Sequence, residues 1–250
     1  MTIFSCLNVY NEETLLEDCI KSIREVLPTS KIILLDGAYD SWIAQVKIAS
    51  ALELEYGRKD YGQSMGRFLT PYSNDRTIEI AKEMNVEYII NPPKNTTKDP
   101  IRTGAGSWEP GEYMPWECEW KKRATFLTFG EAGDWFFILD ADERVRGNPE
   151  PFTQDHYAVM LKRDDEIAAY PVHRVFKKTP NLRMAGAHMA FWEGDTLLKK
   201  DEAPILQGVT IEHIWNKRAK LDYARHAAKG AYYKGGLVKE EEQFRKIYGI

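Results

Sequence analysis

Gly133-Asp134-Trp135-Phe136-Phe137-Ile138-Leu139-Asp140-Ala141-Asp142-Glu143 decides how the rest of the chain is read. Trp135 to Asp140 forms one strand in this reading, apolar up to its last residue. A continuous apolar run bounded by Gly133 and a charged turn is the pattern of a strand buried on both faces. Three carboxylates then fall within four positions. The carboxyl end of a buried parallel strand is where open α/β sheets bind their ligands. Side chains alternate along extended chain, which predicts Asp140 and Asp142 on one side with Ala141 turned away. Two carboxylates so placed suit a hard divalent cation. Mg²⁺ takes one or two protein carboxylates and fills its other positions with water and substrate phosphate. The competing reading is an acidic, solvated turn after a core strand, because Asp-x-Asp matches are common.

The whole chain sets bounds around that stretch. Its 250 residues fit one large α/β domain or one domain with a small appendage, and 43% apolar with 29% charged residues leaves enough for a sizeable core. A net charge of −4 gives no nucleic-acid footprint. The N-terminus runs straight into a strand, so no signal peptide is expected, and no apolar run approaches a membrane span. Cys6, Cys19 and Cys118 form neither a disulfide framework nor a zinc spacing. The expectation is a cytoplasmic, reduced protein.

In chain order, Thr2 to Val9 reads as a strand, with Asn11 as the cap of a following helix. Leu15, Leu16, Cys19, Ile20, Ile23, Val26 and Leu27 recur at helical spacing, and Pro28 ends the stripe. Lys31 to Leu35 is a second strand closing on Asp36 and Gly37. This is a βαβ unit with a parallel sheet. Residues 41 to 72 read as an insertion, helical at first and a loop from 57. A helix then starts at Ser73-Asn74-Asp75, and Val86 to Ile90 is the third strand. Residues 94 to 116 lack periodicity, the mark of a functional or mobile loop. Glu117 to Phe129 is a helix feeding the carboxylate strand. After Glu143 the alternation stops, and Ile167–Phe176, Leu182–Phe191 and Ile205–Trp215 read as strands that extend the sheet and wall the site. A basic, Tyr-rich helical tail follows from Ala219.

Several pieces together resemble the GT-A nucleotide-sugar glycosyltransferases, in particular the inverting family 2. Asn8-Val9-Tyr10-Asn11-Glu12-Glu13 is similar to the family's opening Pro-Val-Tyr-Asn-Glu-Glu. Leu35-Asp36-Gly37, continued after the insertion by Ser73-Asn74-Asp75-Arg76-Thr77, resembles its Val-Asp-Asp-Gly-Ser-x-Asp-x-Thr. Lys122-Arg123-Ala124 before Gly133-Asp134-Trp135 looks like the approach to the family's Asp-x-Asp. Arg174-Val175-Phe176-Lys177, Leu182 to His188, and Ile211-Glu212-His213-Ile214-Trp215 are like later stretches of one subgroup. The resemblance spans residues 1 to 218, and it rests on the order and spacing of motifs that are individually weak.

It implies one GT-A, Rossmann-like domain over residues 1–250, with a mostly parallel central sheet flanked by helices. Residues 1–143 would be the nucleotide-binding half, 144–218 a mixed-strand acceptor-side half, and 219–250 a basic helical tail. The implied reaction moves a sugar from a nucleoside diphosphate, UDP first among them, to a hydroxyl acceptor with inversion. Asp36 would accept from the base, and Asn8, Tyr10 and Glu12 would line the base and ribose pocket, Tyr10 offering a stacking face. Asp140 would face ribose or metal, and Asp142 would hold Mn²⁺ or Mg²⁺ against the diphosphate. Arg123 adds a charge-assisted phosphate contact, and His213 is the candidate third metal ligand. Each has a plainer reading. Asp36 is also a turn former before Gly37, Arg123 a solvated helix charge, and His213 a satisfied core histidine.

An inverting transfer also needs a general base. The subgroup's glutamate after His188 is Met189 here, so His188, Asp195 and Glu193 are the candidates. Partners are the nucleotide-sugar donor and a glycan, lipid or peptide acceptor, with no nucleic acid. The basic tail reads as a solvated face or as peripheral contact with an anionic membrane. Two other functions stay in view. A sugar-phosphate nucleotidyltransferase would want a Gly-rich phosphate loop where Tyr10-Asn11-Glu12-Glu13 stands. A non-catalytic nucleotide- or glycan-binding module would keep the fold without the base.

Overall fold

The computed structural model describes residues 1–55, 68–185 and 190–214. Its first strand, β1 (Ile3–Asn8), is followed by α1 (Leu16–Val26), which buries Leu16, Cys19, Ile20, Ile23 and Val26, the stripe the sequence spaces at helical period. β2 (Lys31–Leu35) then leads into α2 (Asp40–Glu55). Next come α3 (Thr77–Glu83) and β3 (Tyr88–Ile90). The long loop carries one minimal hairpin, β4 (Ile101–Arg102) with β5 (Ser107–Trp108). The helix expected over 117–129 is α4 (Glu119–Ala124) running into a 3₁₀ turn, Thr125–Thr128. β6 (Trp135–Asp140) has the boundaries its apolar run dictates, with Trp135 through Leu139 all buried.

The second half is richer in strands than its sequence suggests. β7 (Glu143–Gly147) and β8 (His156–Arg163) fall where no strand was expected. β9 (Tyr170–Lys177) follows. The strand expected over 182–191 is two, β10 (Leu182–Met184) and β11 (Phe191–Glu193), which pair antiparallel; β12 (Thr196–Leu198) completes that small sheet. β13 (Ile205–His213) returns to the main sheet.

Among the described residues the main sheet has the order β3-β2-β1-β6-β9-β8-β13-β7. β1, β2, β3 and β6 run parallel, and β9 opens the mixed part by pairing antiparallel with β6. This is the mixed α/β architecture, helices on a large mixed sheet, that a GT-A-like fold requires. The sheet must curl. β7 lies four strand spacings from β6, roughly 19 Å on a flat sheet. Yet only Ala141 and Asp142 separate the two strands, and three residue steps reach at most about 11 Å. α1 fills the hollow of the curl. Val145 N–H donates to Ser22 Oγ (3.1 Å), and Arg144 Nη2 donates to Leu15 O (2.9 Å). Packing thus delivers the turn after β6 to a fixed place.

A second core lies on the other face, where Phe4, Phe136, Phe176 and Phe191 meet. The Phe176 and Phe191 rings stack with centroids 3.4 Å apart, docking the small sheet on β9. Beside them, His156 Nδ1 and His173 Nε2 lie 2.9 Å apart on β8 and β9. Burial pushes the His173 imidazole down to about 4, and His156 adds to the effect. A depressed imidazole is held neutral by the fold. Its contribution is therefore complete above the unfolded value near 6.5 and lost as pH falls from there toward 4. Discounted for partial exposure, that is worth roughly 1–2 kcal/mol. The unfolding free energy of His173→Gln should vary less between pH 6.5 and 4 than that of the native chain. Equal slopes in urea titrations across that range would contradict this.

No helix among the described residues is long and apolar enough to cross a membrane.

Candidate functional site

The carboxyl ends of β1, β2 and β6 lie level with one another. Asn8 pairs in register with Leu35 on one side and Asp140 on the other. Beyond them three connections converge: the β1–α1 loop, the β2–α2 loop and the Asp140–Glu143 turn.

The first two are braced by the segment before α3. Asn11 N–H donates to Ser73 Oγ (2.7 Å), and Asn74 N–H donates to Asn11 Oδ1 (2.8 Å). Glu12 N–H donates to Thr77 Oγ1 (2.6 Å), and Arg76 N–H to Glu13 Oε2 (3.2 Å). Asn11 has φ +51, and its side chain is spent on this brace, not on capping α1 as expected. Asp36 belongs to the same knot. Its carboxylate accepts from Ser73 N–H (3.0 Å) and Ser73 Oγ (2.5 Å), and it is 1% exposed. Burial raises the Asp36 carboxyl, against the Ser73 hydroxyl and the Lys122 ammonium, which stabilise the anion. Gly37 follows with φ +101, where a Cβ would come within 2.5 Å of Pro71 O; the turn needs glycine. Trp116 Nε1 donates to Asp36 O (2.6 Å). Lys122, 1% exposed, donates to Val9 O (2.9 Å) and Gly37 O (2.6 Å), tying the β1 and β2 ends together.

Tyr10 does not present a free ring. It is 5% exposed, edge-on to Trp42 and Phe68, with its hydroxyl donated to Thr70 O (2.7 Å). Asn8 Nδ2 donates to Tyr39 Oη (2.5 Å), and burial holds that phenol well above its usual range.

The acid turn is buried. Asp142 and Glu143 are each 1% exposed, so the solvated-turn reading is wrong. The strand ends at Asp140, and alternation does not carry through to Asp142. The two aspartates therefore have different partners. Asp140 Oδ1 meets Arg123 Nη2 at 2.8 Å, and Asp140 Oδ2 lies 3.7 Å from Arg174 Nη2. Asp142 Oδ2 lies 3.1 Å from His213 Nε2. Register explains that second meeting. β13 pairs with β7 so that His213 stands opposite Glu143, one residue past Asp142, and Ile214 N–H donates to Asp142 O (2.8 Å). Glu143 accepts from Asp140 N–H (2.9 Å) through Oε2 and pairs with Arg174 through Oε1. Burial raises the Glu143 carboxyl, and Arg174 opposes the shift.

Arg123 is no solvated helix charge. It is 4% exposed and also binds Glu119 Oε1, through Nη2 at 2.9 Å and Nε at 3.0 Å. The result is one chain of alternating charge, Glu119–Arg123–Asp140–Arg174–Glu143, buried except at Asp140, whose side chain is 30% exposed. Among the described residues, Asn8 Oδ1 and Arg123 Nη1 are buried atoms with no hydrogen-bond partner, one acceptor and one donor beside Asp140.

The expected bases fall elsewhere. Lys178 N–H donates to Asp134 O, so the segment after β9 lies at the amino end of β6. Thr179 Oγ1 there donates to Glu193 Oε2 (2.6 Å), and Asp195 pairs with Arg183 (3.3 Å) on the same hairpin. Both are a strand's length, roughly 17 Å, from the acid turn. The expectations for His188 and for the basic tail over 219–250 lie outside the described residues.

Glu119, Lys122, Arg174 and Tyr39 are site residues not singled out as functional from the sequence. A faint signal existed for two of them: Arg174 stood in a stretch quoted for the resemblance, and Lys122 preceded Arg123.

No family model matches the chain, and no curated protein matches it. Among solved structures it is similar to S. aureus TarS 1-349 in complex with UDP, at 10% identity and a TM-score of 0.35, over 66% of this chain and 37% of that one. A second S. aureus TarS structure matches at 10% identity and a TM-score of 0.34, over 66% of this chain and 22% of that one. S. aureus TarS 1-349 matches at 9% identity and a TM-score of 0.43, over 99% and 69%. The chain thus spans well under two thirds of the first two. Likeness of this depth carries no statement about ligand or activity.

Proposed function

We propose that this protein is a glycosyltransferase that binds a nucleoside diphosphate sugar, UDP-linked in the first instance, at the carboxyl ends of β1, β2 and β6, and transfers the sugar to a hydroxyl acceptor with inversion. The observation that carries the reading is the meeting of Asp142 with His213, 71 positions apart, next to a buried arginine and at the end of a buried parallel strand.

Mn²⁺ or Mg²⁺ fits the residues present in a limited way. Among the described residues no three His, Cys, Asp or Glu side chains gather as a ready-made cluster, and the Asp140 carboxylate is engaged by guanidinium groups. Asp142 Oδ2 and His213 Nε2 do converge, giving two protein ligands. That count suits an ion whose other positions are filled by phosphate and water. When bound, such an ion supplies charge neutralisation for the departing diphosphate.

The chain's own residues do the rest. Arg123 presents Nη1, a donor left over after Glu119 and Asp140 are served, and Asn8 presents Oδ1 as an acceptor. Buried polar atoms are nearly always partnered, so a leftover pair marks where a ligand's hydroxyl or phosphate oxygens belong. Asp36 and Glu12 frame the base end, with the Asp36 carboxylate held by Ser73 and the Gly37 backbone. Tyr10 supports the pocket from behind instead of stacking. The preorganised charges act where phosphate charge develops as the sugar–phosphate bond breaks.

One observation favours a second reading, a binding module without transfer: Glu193 and Asp195 lie at the far end of β6 from the acid turn. Incubating the protein with UDP- and GDP-sugars and Mn²⁺ separates the two. Release of nucleoside diphosphate, by hydrolysis or to an added acceptor, supports the transferase. Tight nucleotide binding with no release from any donor supports the module.

A further inference from the structure

We propose that Arg174 is a positioning residue that sets the acid turn by joining the two carboxylates on either side of Asp142. The inference rests on the donor-site reading above and adds a residue that reading does not use.

Arg174 lies on β9, one residue before Val175, which pairs with Phe137 of β6. It is 5% exposed and sits next to core residues Val175 and Phe176. A guanidinium so placed is costly unless well paired. Its partners are not spread at random. One nitrogen, Nη2, faces Asp140 Oδ2 at 3.7 Å and binds Glu143 Oε1. Asp140 and Glu143 bracket the two-residue turn, and Asp140 N–H closes the loop onto Glu143 Oε2. With both ends held, Asp142 lies against His213 on β13.

Charge supports the same role. Three acids within four residues repel one another in a buried turn. Arg123 and Arg174 answer Asp140 and Glu143 on either side of the Asp142–His213 contact. Arg174 also arrives from the second half of the chain, so the turn is aimed only once β9 has docked on β6.

The test is calorimetric titration of Mn²⁺ into the full chain with UDP present, for the native protein, Arg174→Lys, Arg174→Ala and Glu143→Gln. A lysine keeps the charge, but its side chain is one atom shorter and its ammonium stops short of the place where Nη2 faces both carboxylates. Partners standing behind a metal ligand usually carry about 10–100-fold in affinity, and a fall of that size is expected for Arg174→Lys at a near-native thermal midpoint. Arg174→Ala should lose more and regain part of it in millimolar guanidinium, which a merely structural loss would not. Glu143→Gln, close to isosteric, reports the same contact if both arginine variants fail to fold. Native Mn²⁺ affinity in folded Arg174→Lys or Glu143→Gln overturns the proposal. Absence of Mn²⁺-dependent UDP binding in the native chain overturns the donor-site reading, and this inference with it.

Discussion

Asp142→Asn is expected to remove Mn²⁺-dependent UDP binding while leaving the protein folded. The substitution keeps the shape of the side chain and a hydrogen bond toward His213, and the Ile214 N–H still reaches the residue-142 carbonyl. What it removes is the carboxylate charge that lies against His213 in the turn. If residues behind a metal ligand carry about 10–100-fold, the ligand should carry at least the upper figure. Stability should change by less than about 1 kcal/mol, roughly 2–4 °C in thermal midpoint for a chain of this length. The contrast with Asp140 is part of the expectation. Asp140→Asn strips the shared partner of Arg123 and Arg174, so its main effect should be on stability. Equal loss of Mn²⁺ affinity from both variants, at equal stability, would contradict the proposed division of labour.

The largest expected effect on folding is at Arg123. Arg123→Ala leaves the buried Glu119 and the part-exposed Asp140 without the guanidinium they share. Removing one partner of a buried ion pair typically costs about 3–5 kcal/mol, because the remaining charge stays desolvated. That is a large share of the usual stability of a domain, about 5–15 kcal/mol. Packing alone would also cost something, and a second variant separates the two. In Arg123→Met with Glu119→Gln and Asp140→Asn, the volume is mostly kept and no charge is orphaned, so much of the loss should return. Urea unfolding of the single and triple variants measures both. A single variant within 1 kcal/mol of native would mean that water already reaches this cluster and that the charges are not buried in solution.

What the sequence made legible follows from which forces are local. β6, β1, β2 and α1 could be read because burial on both faces, or on one helical stripe, writes itself into residue spacing. Residues 135–140 and 31–35 even carry their boundaries, since a carboxylate or a turn stands at each end. β7 and β8 could not be read the same way. Glu143, Arg144 and Arg146 make β7 look like a solvated connection, because charged residues are rarely buried. Here Glu143 and Arg144 are buried and satisfied by partners far away in sequence, Arg174 and the Leu15 carbonyl. His156 to Arg163 likewise ends in two basic residues that mask a strand.

The site divides along the same line. Asp140, Asp142, Arg123 and His213 were visible as residue types in a sensible order. Their pairings were not. Nothing local says that Asp142 should meet His213, or that Asp140 should be shared by two arginines; both follow from the β13–β7 and β9–β6 registers. Asp36 shows the reverse case. A turn former and a ligand-binding acid look alike in sequence, and the structure gives it a bracing role through Ser73 that neither reading specified. Glu193 and Asp195 were candidates by chain position alone, and position in a chain does not fix position along a strand.

The central claim is a metal-assisted nucleotide site at the Asp142–His213 pair, and calorimetric titration of UDP and GDP tests it most directly. Each is titrated into the full chain with Mn²⁺ and again with EDTA. The account predicts binding of one nucleotide, UDP first, that requires Mn²⁺. No binding of either nucleotide by the folded protein, or equal binding in EDTA, would contradict it.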